Sequence, residues 1–420
     1  MQFSLFAQRF QQETGTVQLM DDLGKARWAK PPVYMLGGGN PAHIPEVETT
    51  FKAALSAILE NEQDFGQMIG EYDSPQGNTL FCRSLAAMLN AEFGWPVSAD
   101  NIAITNGSQS SFGLLFNALA GYFDDGYFKK ILLPITPEYV GYADVGLADQ
   151  DIFEGRRPAI ERIGERAFKY RVDFERLVIN PHRHGAVCVS RRTNPTGNVI
   201  SDEELDELRN RCRDAGVPLI IDSAYGLPFP GIVFTDAKPR WDEGIILCLS
   251  LSKLGLPGLR TGIVVASSDV TRLIRNANAI NSLAPGRVGP TLATALLKRG
   301  DLMRLCKEAI LPHYQSKVNH ALSMVNWFMR DLPVRVHCAE GAIFLWLWFE
   351  RLPITSGELY QRLVHKGVYI LPGHHFFPGL NDDWRHRHEC IRVNYAAADD
   401  IVETGLQLIA DTVREAYSQR

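Results

Sequence analysis

Six short runs rich in Ile, Val and Leu, at residues 101–105, 130–134, 186–190, 219–222, 245–249 and 262–266, alternate with helix-like stretches between Phe51 and Thr294. Runs this short and this apolar suit strands buried on both faces of a mainly parallel sheet. The alternation therefore predicts a large three-layer α/β domain. One intervening helix is marked at both ends. Ser201-Asp202-Glu203-Glu204 is a capping-box pattern, Leu205 and Leu208 begin an apolar face, and Gly216-Val217-Pro218 stops it before the next strand. A long helical stretch is expected over residues 291–330. The first 45 residues read as an arm interrupted by Gly37-Gly38-Gly39-Asn40-Pro41. Strand-like segments at 341–349, 368–371 and 391–395, with helical ones at 359–365 and 401–417, predict a smaller α+β unit. The expected division is a large domain at 46–294. Residues 1–45 and 295–420 then form the arm, a connecting helix and the small domain.

A chain of 420 residues has room for both units. Its 43 basic and 48 acidic residues give a net charge of −5, so no basic surface for nucleic acid is expected. The longest apolar stretch, 342–349, is strand-length, far below the ~18 residues that cross a bilayer. The first residues lack a basic segment followed by an apolar core, so no secretory signal is expected. Seven Cys without a C-x-x-C pair read as reduced thiols. The expectation is a soluble, cytoplasmic protein without membrane or nucleic-acid partners.

The chemistry concentrates in three segments. Leu249-Ser250-Leu251-Ser252-Lys253-Leu254-Gly255-Leu256-Pro257-Gly258-Leu259-Arg260 ends a strand in two hydroxyls and a Lys, and a turn then delivers an Arg. A partly desolvated Lys loses its proton more readily and can attack a carbonyl carbon, while hydroxyls and an Arg suit a phosphate. Ile220-Ile221-Asp222-Ser223-Ala224-Tyr225 brings an acid and a phenol from a buried strand, and Arg192-Thr193-Asn194-Pro195-Thr196-Gly197 presents Asn194 on a turn. Each segment alone has an ordinary structural explanation.

Together with Tyr72, Gly107-Ser108-Gln109, Tyr139 and Arg392, these segments resemble the fold-type I aminotransferases that use pyridoxal 5'-phosphate, over nearly the whole chain. The fold implied is that family's: a large three-layer domain with a mainly parallel sheet, plus a smaller α+β domain. The resemblance implies that Lys253 holds the cofactor and acts as base, that Asp222 pairs with its ring nitrogen, and that Tyr225 and Asn194 bond its 3-oxygen. Tyr139 would stack on the ring. Gly107, Ser108, Gln109, Ser250 and Arg260 would receive the phosphate, joined by Tyr72 from a partner subunit in a homodimer with shared sites. Arg392, with Gly39 and Asn194, would hold the substrate carboxylate. Leu36-Gly37-Gly38-Gly39-Asn40-Pro41, Ser252-Lys253-Leu254-Gly255-Leu256-Pro257-Gly258 and Pro372-Gly373-His374-His375-Phe376-Phe377-Pro378-Gly379 are similar to the valine–pyruvate branch of that family. That branch implies small amino acids and 2-oxo acids as substrates, with L-valine and pyruvate giving 3-methyl-2-oxobutanoate and L-alanine.

Alternatives stay open: a broader, aromatic or acidic specificity, or a C–S β-lyase on the same fold. A transcription regulator would need a basic helix-turn-helix module ahead of the cofactor-binding pattern, for which the first ~50 residues leave no room. Arg260 follows Lys253 by seven residues where many relatives have eight, and Arg287 would admit acidic substrates if it faced a neighbouring site. His386, His388 and Cys390 would share one strand face if the strand began that early, but the spacing fits no familiar zinc site, and no metal is expected.

Overall fold

The computed structural model describes residues 1–26, 28–30 and 32–419. Its largest sheet has eight strands. Along the sheet lie Ile102–Thr105, Gly262–Val265, Ile245–Ser250, Leu219–Asp222, His184–Ser190, Phe128–Leu133 and Gly121–Tyr122, with Phe153–Gly155 also paired to Phe128–Leu133. Leu219–Asp222 pairs in parallel with both its neighbours, whereas Gly262–Val265 runs antiparallel to both of its own.

Successive residues of these strands enter two separate cores, as a period-two backbone demands. Ile221, Leu247, Leu249 and Val189 pack on one face with Leu205 and Leu208 of the helix Asp202–Ala215. Ile220, Ile246, Cys248 and Cys188 pack on the other with Phe112, Leu115 and Phe116 of the helix Ser108–Leu119. Each strand is thus buried on both faces, the condition its uniform apolarity anticipates. The Asp202–Ala215 helix carries the expected cap: Ser201 Oγ accepts from the Glu204 N–H, the Glu204 carboxylate accepts from the Ser201 N–H, and Gly216 closes it in the left-handed conformation.

A second sheet of six strands runs Leu371–Pro372, Cys390–Asn394, Phe344–Phe349, Val334–His337, Ala167–Arg171, Ala159–Ile163. Its last two strands form a hairpin from the middle of the chain, and Val336–His337 pairs in parallel with Ala167–Phe168. This sheet is therefore not assembled from C-terminal residues alone. The sequence reading missed the hairpin because Ala159–Ile163 is largely exposed and lacks an apolar run.

One local expectation is corrected, and one condition is not met. The stretch 291–330 is not one helix: Val288–Lys298 ends before Gly300, whose φ of +73° breaks the ladder, and a second helical run resumes at Asp301 and continues to Phe328. His386, His388 and Cys390 do not share a strand face, because His386–Glu389 is a single helical turn and the strand begins at Cys390. His386 bonds the Tyr170 hydroxyl (2.5 Å), whereas His388 stacks on His374. Among the described residues no helix is long and apolar enough to cross a membrane.

The cap gives a direct test of the local reading. Ser201→Ala is expected to lower unfolding stability by about 1 kcal/mol, measured as a lower denaturation midpoint at unchanged slope, with little change at Ser201→Asp.

Candidate active site

The strand ends build the site, as open α/β sheets do at their carboxyl edge. In register, Ser190 lies opposite Asp222 and Asp222 opposite Cys248, so the Asn194 turn, the Asp222 turn and the Lys253 turn all leave the sheet on one side. A cavity of about 490 Å³ opens there. Gly39, Ser108, Gln109, Tyr139, Asn194 and Asp222 line it, together with Tyr225, Ser250, Lys253, Arg260 and Arg392. Two predicted residues lie off its wall. Gly107 sits behind it as the residue that precedes the Ser108–Leu119 helix. Tyr72 is 83% exposed and lies outside this chain's cavity.

Lys253 stands in the one-turn helix Ser252–Leu254, and its Nζ donates to the Gly39 carbonyl at 2.5 Å and lies 5.2 Å from the Tyr225 ring centre. Burial, with the positive charges of Arg392 and Arg260, pulls the amine down to about 8, against the opposing pull of Asp222. A neutral, nucleophilic amine is therefore available near neutral pH. Asp222 is buried, and its Oδ2 accepts from the Tyr142 hydroxyl at 2.7 Å while Oδ1 accepts from the Ala224 N–H at 2.9 Å. Burial raises its pKa, offset by those two bonds and by Lys253. Such a carboxylate suits a cationic ring N–H. Burial also lifts the Tyr225 phenol well above its usual value, so it stays a donor.

Arg392 alternates with Ile391 and Val393 on the strand Cys390–Asn394, yet it faces the cavity from within the protein. Its Nη1 donates to Asn194 Oδ1 at 2.6 Å, its Nη2 donates to the Gly37 carbonyl, and its guanidinium lies 4.1 Å from the Phe344 ring centre and 5.2 Å from that of Phe376. Burial lowers it to about 10 while leaving it charged. The planar fork lies against two aromatic rings, a pre-organised seat for a carboxylate.

The opposite end is an anion cradle built on missing side chains. Gly262 lies between Ser250 and Thr105 in the sheet, and a Cβ on it would come within 2.6 Å of the Ser108 nitrogen. Gly107 takes φ +92°, and a Cβ there would meet Arg260 Nη2 at 2.2 Å. The first N–H groups of the Ser108–Leu119 helix, which have no helical partner, thus open beside an exposed guanidinium. Arg260, seven residues after Lys253, closes the turn in the left-handed conformation with φ +45°.

Sequence reasoning missed three contributors. Tyr142 was visible only as the third residue after Tyr139, and its bond to Asp222 depends on the fold. The helix Gly15–Ala26 lays Thr16, Leu19, Met20 and Leu23 on the cavity wall. Arg192, with φ +102°, is buried on that wall with Nε and Nη2 unpartnered, and among the described residues no carboxylate pairs with it. Arg287 does not line this cavity; it pairs with Glu71 (3.4 Å) and Asp73 (3.7 Å) on either side of Tyr72.

For the free chain, capture of an added aldehyde such as pyridoxal 5'-phosphate is expected to speed up about tenfold per pH unit up to pH 8 and then level off, because only the deprotonated Lys253 reacts. Stopped-flow absorbance measures this, and Lys253→Ala is expected to abolish the phase.

Residues 33–404 match the family described as aminotransferase class I and II. The chain is 47% identical over 419 residues to valine–pyruvate aminotransferase of Escherichia coli K12, covering 100% of both chains. It superposes on a putative amino-acid aminotransferase of Psychrobacter arcticum 273-4 with TM-score 0.96 at 44% identity, covering 100% of both chains. The valine–pyruvate aminotransferase structure from Salmonella typhimurium LT2 gives TM-score 0.88 at 45% identity, covering 96% of this chain and 100% of that one. A buried Lys of lowered basicity near a buried carboxylate, with an anion cradle at one end and a clamped Arg at the other, is thus set in a chain that belongs to the class I and II aminotransferases.

Proposed function

We propose that this aminotransferase exchanges the amino group between L-valine and pyruvate, yielding 3-methyl-2-oxobutanoate and L-alanine. The observation that carries this reading is the 47% identity to the Escherichia coli enzyme across the full length of both chains. The cavity supports it: Leu19, Met20 and Leu23 supply an apolar wall for a short branched side chain.

The family's cofactor is pyridoxal 5'-phosphate, and the residues present fit it. The backbone cradle at Gly107 and Gly262 suits a phosphate, the buried Asp222 a ring cation, and the Lys253 amine an aldehyde. When bound, that group supplies an electrophilic carbon and a protonated ring that withdraws the electrons left at the substrate Cα. In this proposal Gly107, Ser108, Gln109, Ser250 and Arg260 hold the phosphate, and Tyr139 covers the ring face. Asp222 keeps the ring-nitrogen proton in place. Tyr225 donates to the ring 3-oxygen, and so does Asn194 through Nδ2, because its Oδ1 already accepts from Arg392. Arg392 and the Gly39 backbone would orient the substrate carboxylate, and Lys253 Nζ would take up the proton from the substrate Cα.

The proposal includes a homodimer. Tyr72 and the Arg287 pairs lie in a region where Ile69 and Leu80 are also exposed, a surface suited to a second copy whose phosphate Tyr72 would reach. It also places the cofactor-binding unit at 46–294, with the hairpin Ala159–Arg171 lent to the second sheet, and the arm and small unit at 1–45 and 295–420, and assigns the protein to the cytoplasm. All seven cysteines are free, in keeping with a reducing compartment. A broader specificity that admits acidic side chains is the second reading, favoured by the unpaired Arg192 on the cavity wall.

Loaded enzyme given valine and pyruvate is expected to form 3-methyl-2-oxobutanoate and alanine. Absence of both would overturn the reading, while a faster reaction with glutamate than with valine would select the second. Arg392→Lys, which keeps the charge and loses the fork, is expected to lower kcat/KM by about 10–100-fold, since a charge-assisted hydrogen bond contributes about 1.5–3 kcal/mol. Light scattering is expected to give twice the chain mass, and Tyr72→Phe to weaken retention of the cofactor without altering that mass.

A further inference from the structure

The hydroxyl of Tyr142 that donates to Asp222 Oδ2 at 2.7 Å also lies 3.3 Å from Ser190 Oγ. Ser190 Oγ in turn meets Glu138 Oε2, and the Ser190 N–H donates to Glu138 Oε1 at 2.8 Å. All four residues are buried, and Glu138 has no exposed surface. Its own N–H is anchored on the Phe376 carbonyl at 2.8 Å. We propose that Glu138 is a positioning residue of the ring-nitrogen site: kept as a neutral acid, it fixes the orientation and the single charge of Asp222 through Ser190 and Tyr142. The proposal rests on the reading of this cavity as the pyridoxal 5'-phosphate site.

Proton counting sets the direction of the chain. Three contacts link Glu138 to Ser190, Ser190 to Tyr142, and Tyr142 to Asp222, but the two hydroxyls bring only two hydrogens. For all three contacts to carry a hydrogen while Tyr142 donates to Asp222, Ser190 has to donate to Tyr142 and the Glu138 carboxyl to Ser190. An ionised Glu138 would draw the Ser190 hydrogen to itself and leave the Ser190–Tyr142 contact without one. It would also bury a second negative charge behind Asp222. Burial pushes Glu138 up to about 8, the Asp222 charge adding to the rise and the Ser190 bonds opposing it. The other titratable groups packed here, the Cys188 thiol and the Tyr142 phenol, are held well above their usual values and stay neutral. Asp222 is therefore the charged group in the chain.

The test compares binding of pyridoxamine 5'-phosphate, followed by absorbance, to wild type, Glu138→Gln and Glu138→Ala between pH 6.5 and 9, a window spanning the value of about 8 for Glu138. The amide of Glu138→Gln can donate to Ser190 Oγ and accept from its N–H, but it cannot ionise. It is expected to bind within about twofold of wild type at pH 7 and to diverge from it above pH 8. Glu138→Ala is expected to bind about tenfold more weakly at pH 7. A Glu138→Gln protein that binds tenfold or more weakly than wild type at pH 7 would overturn the proposal, as would wild-type affinity in a folded Glu138→Ala protein. If wild type itself does not bind the ligand, it is the cavity assignment that fails. The Gln comparison stands even where the Ala variant does not fold.

Discussion

Three consecutive carbonyls, those of Gly37, Gly38 and Gly39, accept hydrogen bonds from Arg392, Asn394 and Lys253 respectively. This short loop ties the N-terminal arm to a late strand and to the lysine turn of the large sheet, segments hundreds of residues apart. Arg392, Lys253 and Gly39 all line the cavity, so the loop joins parts of its wall drawn from three distant segments. Burying a guanidinium costs on the order of several kcal/mol unless its donors are satisfied. Here the Gly37 carbonyl and Asn194 engage Nη2 and Nη1, the Phe344 and Phe376 rings lie against the guanidinium, and Nε is left without a partner.

The charge layout follows from that convergence. Arg392 and Arg260 both press on Lys253 and, with burial, bring its amine into the range where it can act as nucleophile and base. The acidic counterpart sits deeper, at Asp222, under the cover of Tyr142. Positive charge is thus concentrated locally on the cavity wall, at Arg260 and Arg392, within a chain whose net charge is −5.

Much of the large unit was legible because its strands are buried on both faces, so composition alone marks them. The Asp202–Ala215 helix was legible because its cap is chemical and local. The hairpin Ala159–Arg171 was not, since half of it is exposed and its partner strand lies over 160 residues away. The condition for a shared histidine face is unmet for a related reason: alternation in sequence implies a shared face only in a strand, and this segment is a helical turn until Cys390.

The chain's own chemistry, then, is written in its sequence: a Lys after a strand, an acid and phenol on the next strand end, an Asn turn, and an Arg on a late strand. These residues are set by local segments and by the reactions such groups can perform. What only the tertiary structure decided is how each group is tuned and walled. The bond from Tyr142 to Asp222, the burial that shifts Lys253, the aromatic faces on Arg392 and the apolar helix from the arm are all contacts between distant segments. Periodicity along the chain carries no record of them, because they depend on which surfaces the packed layers bring together.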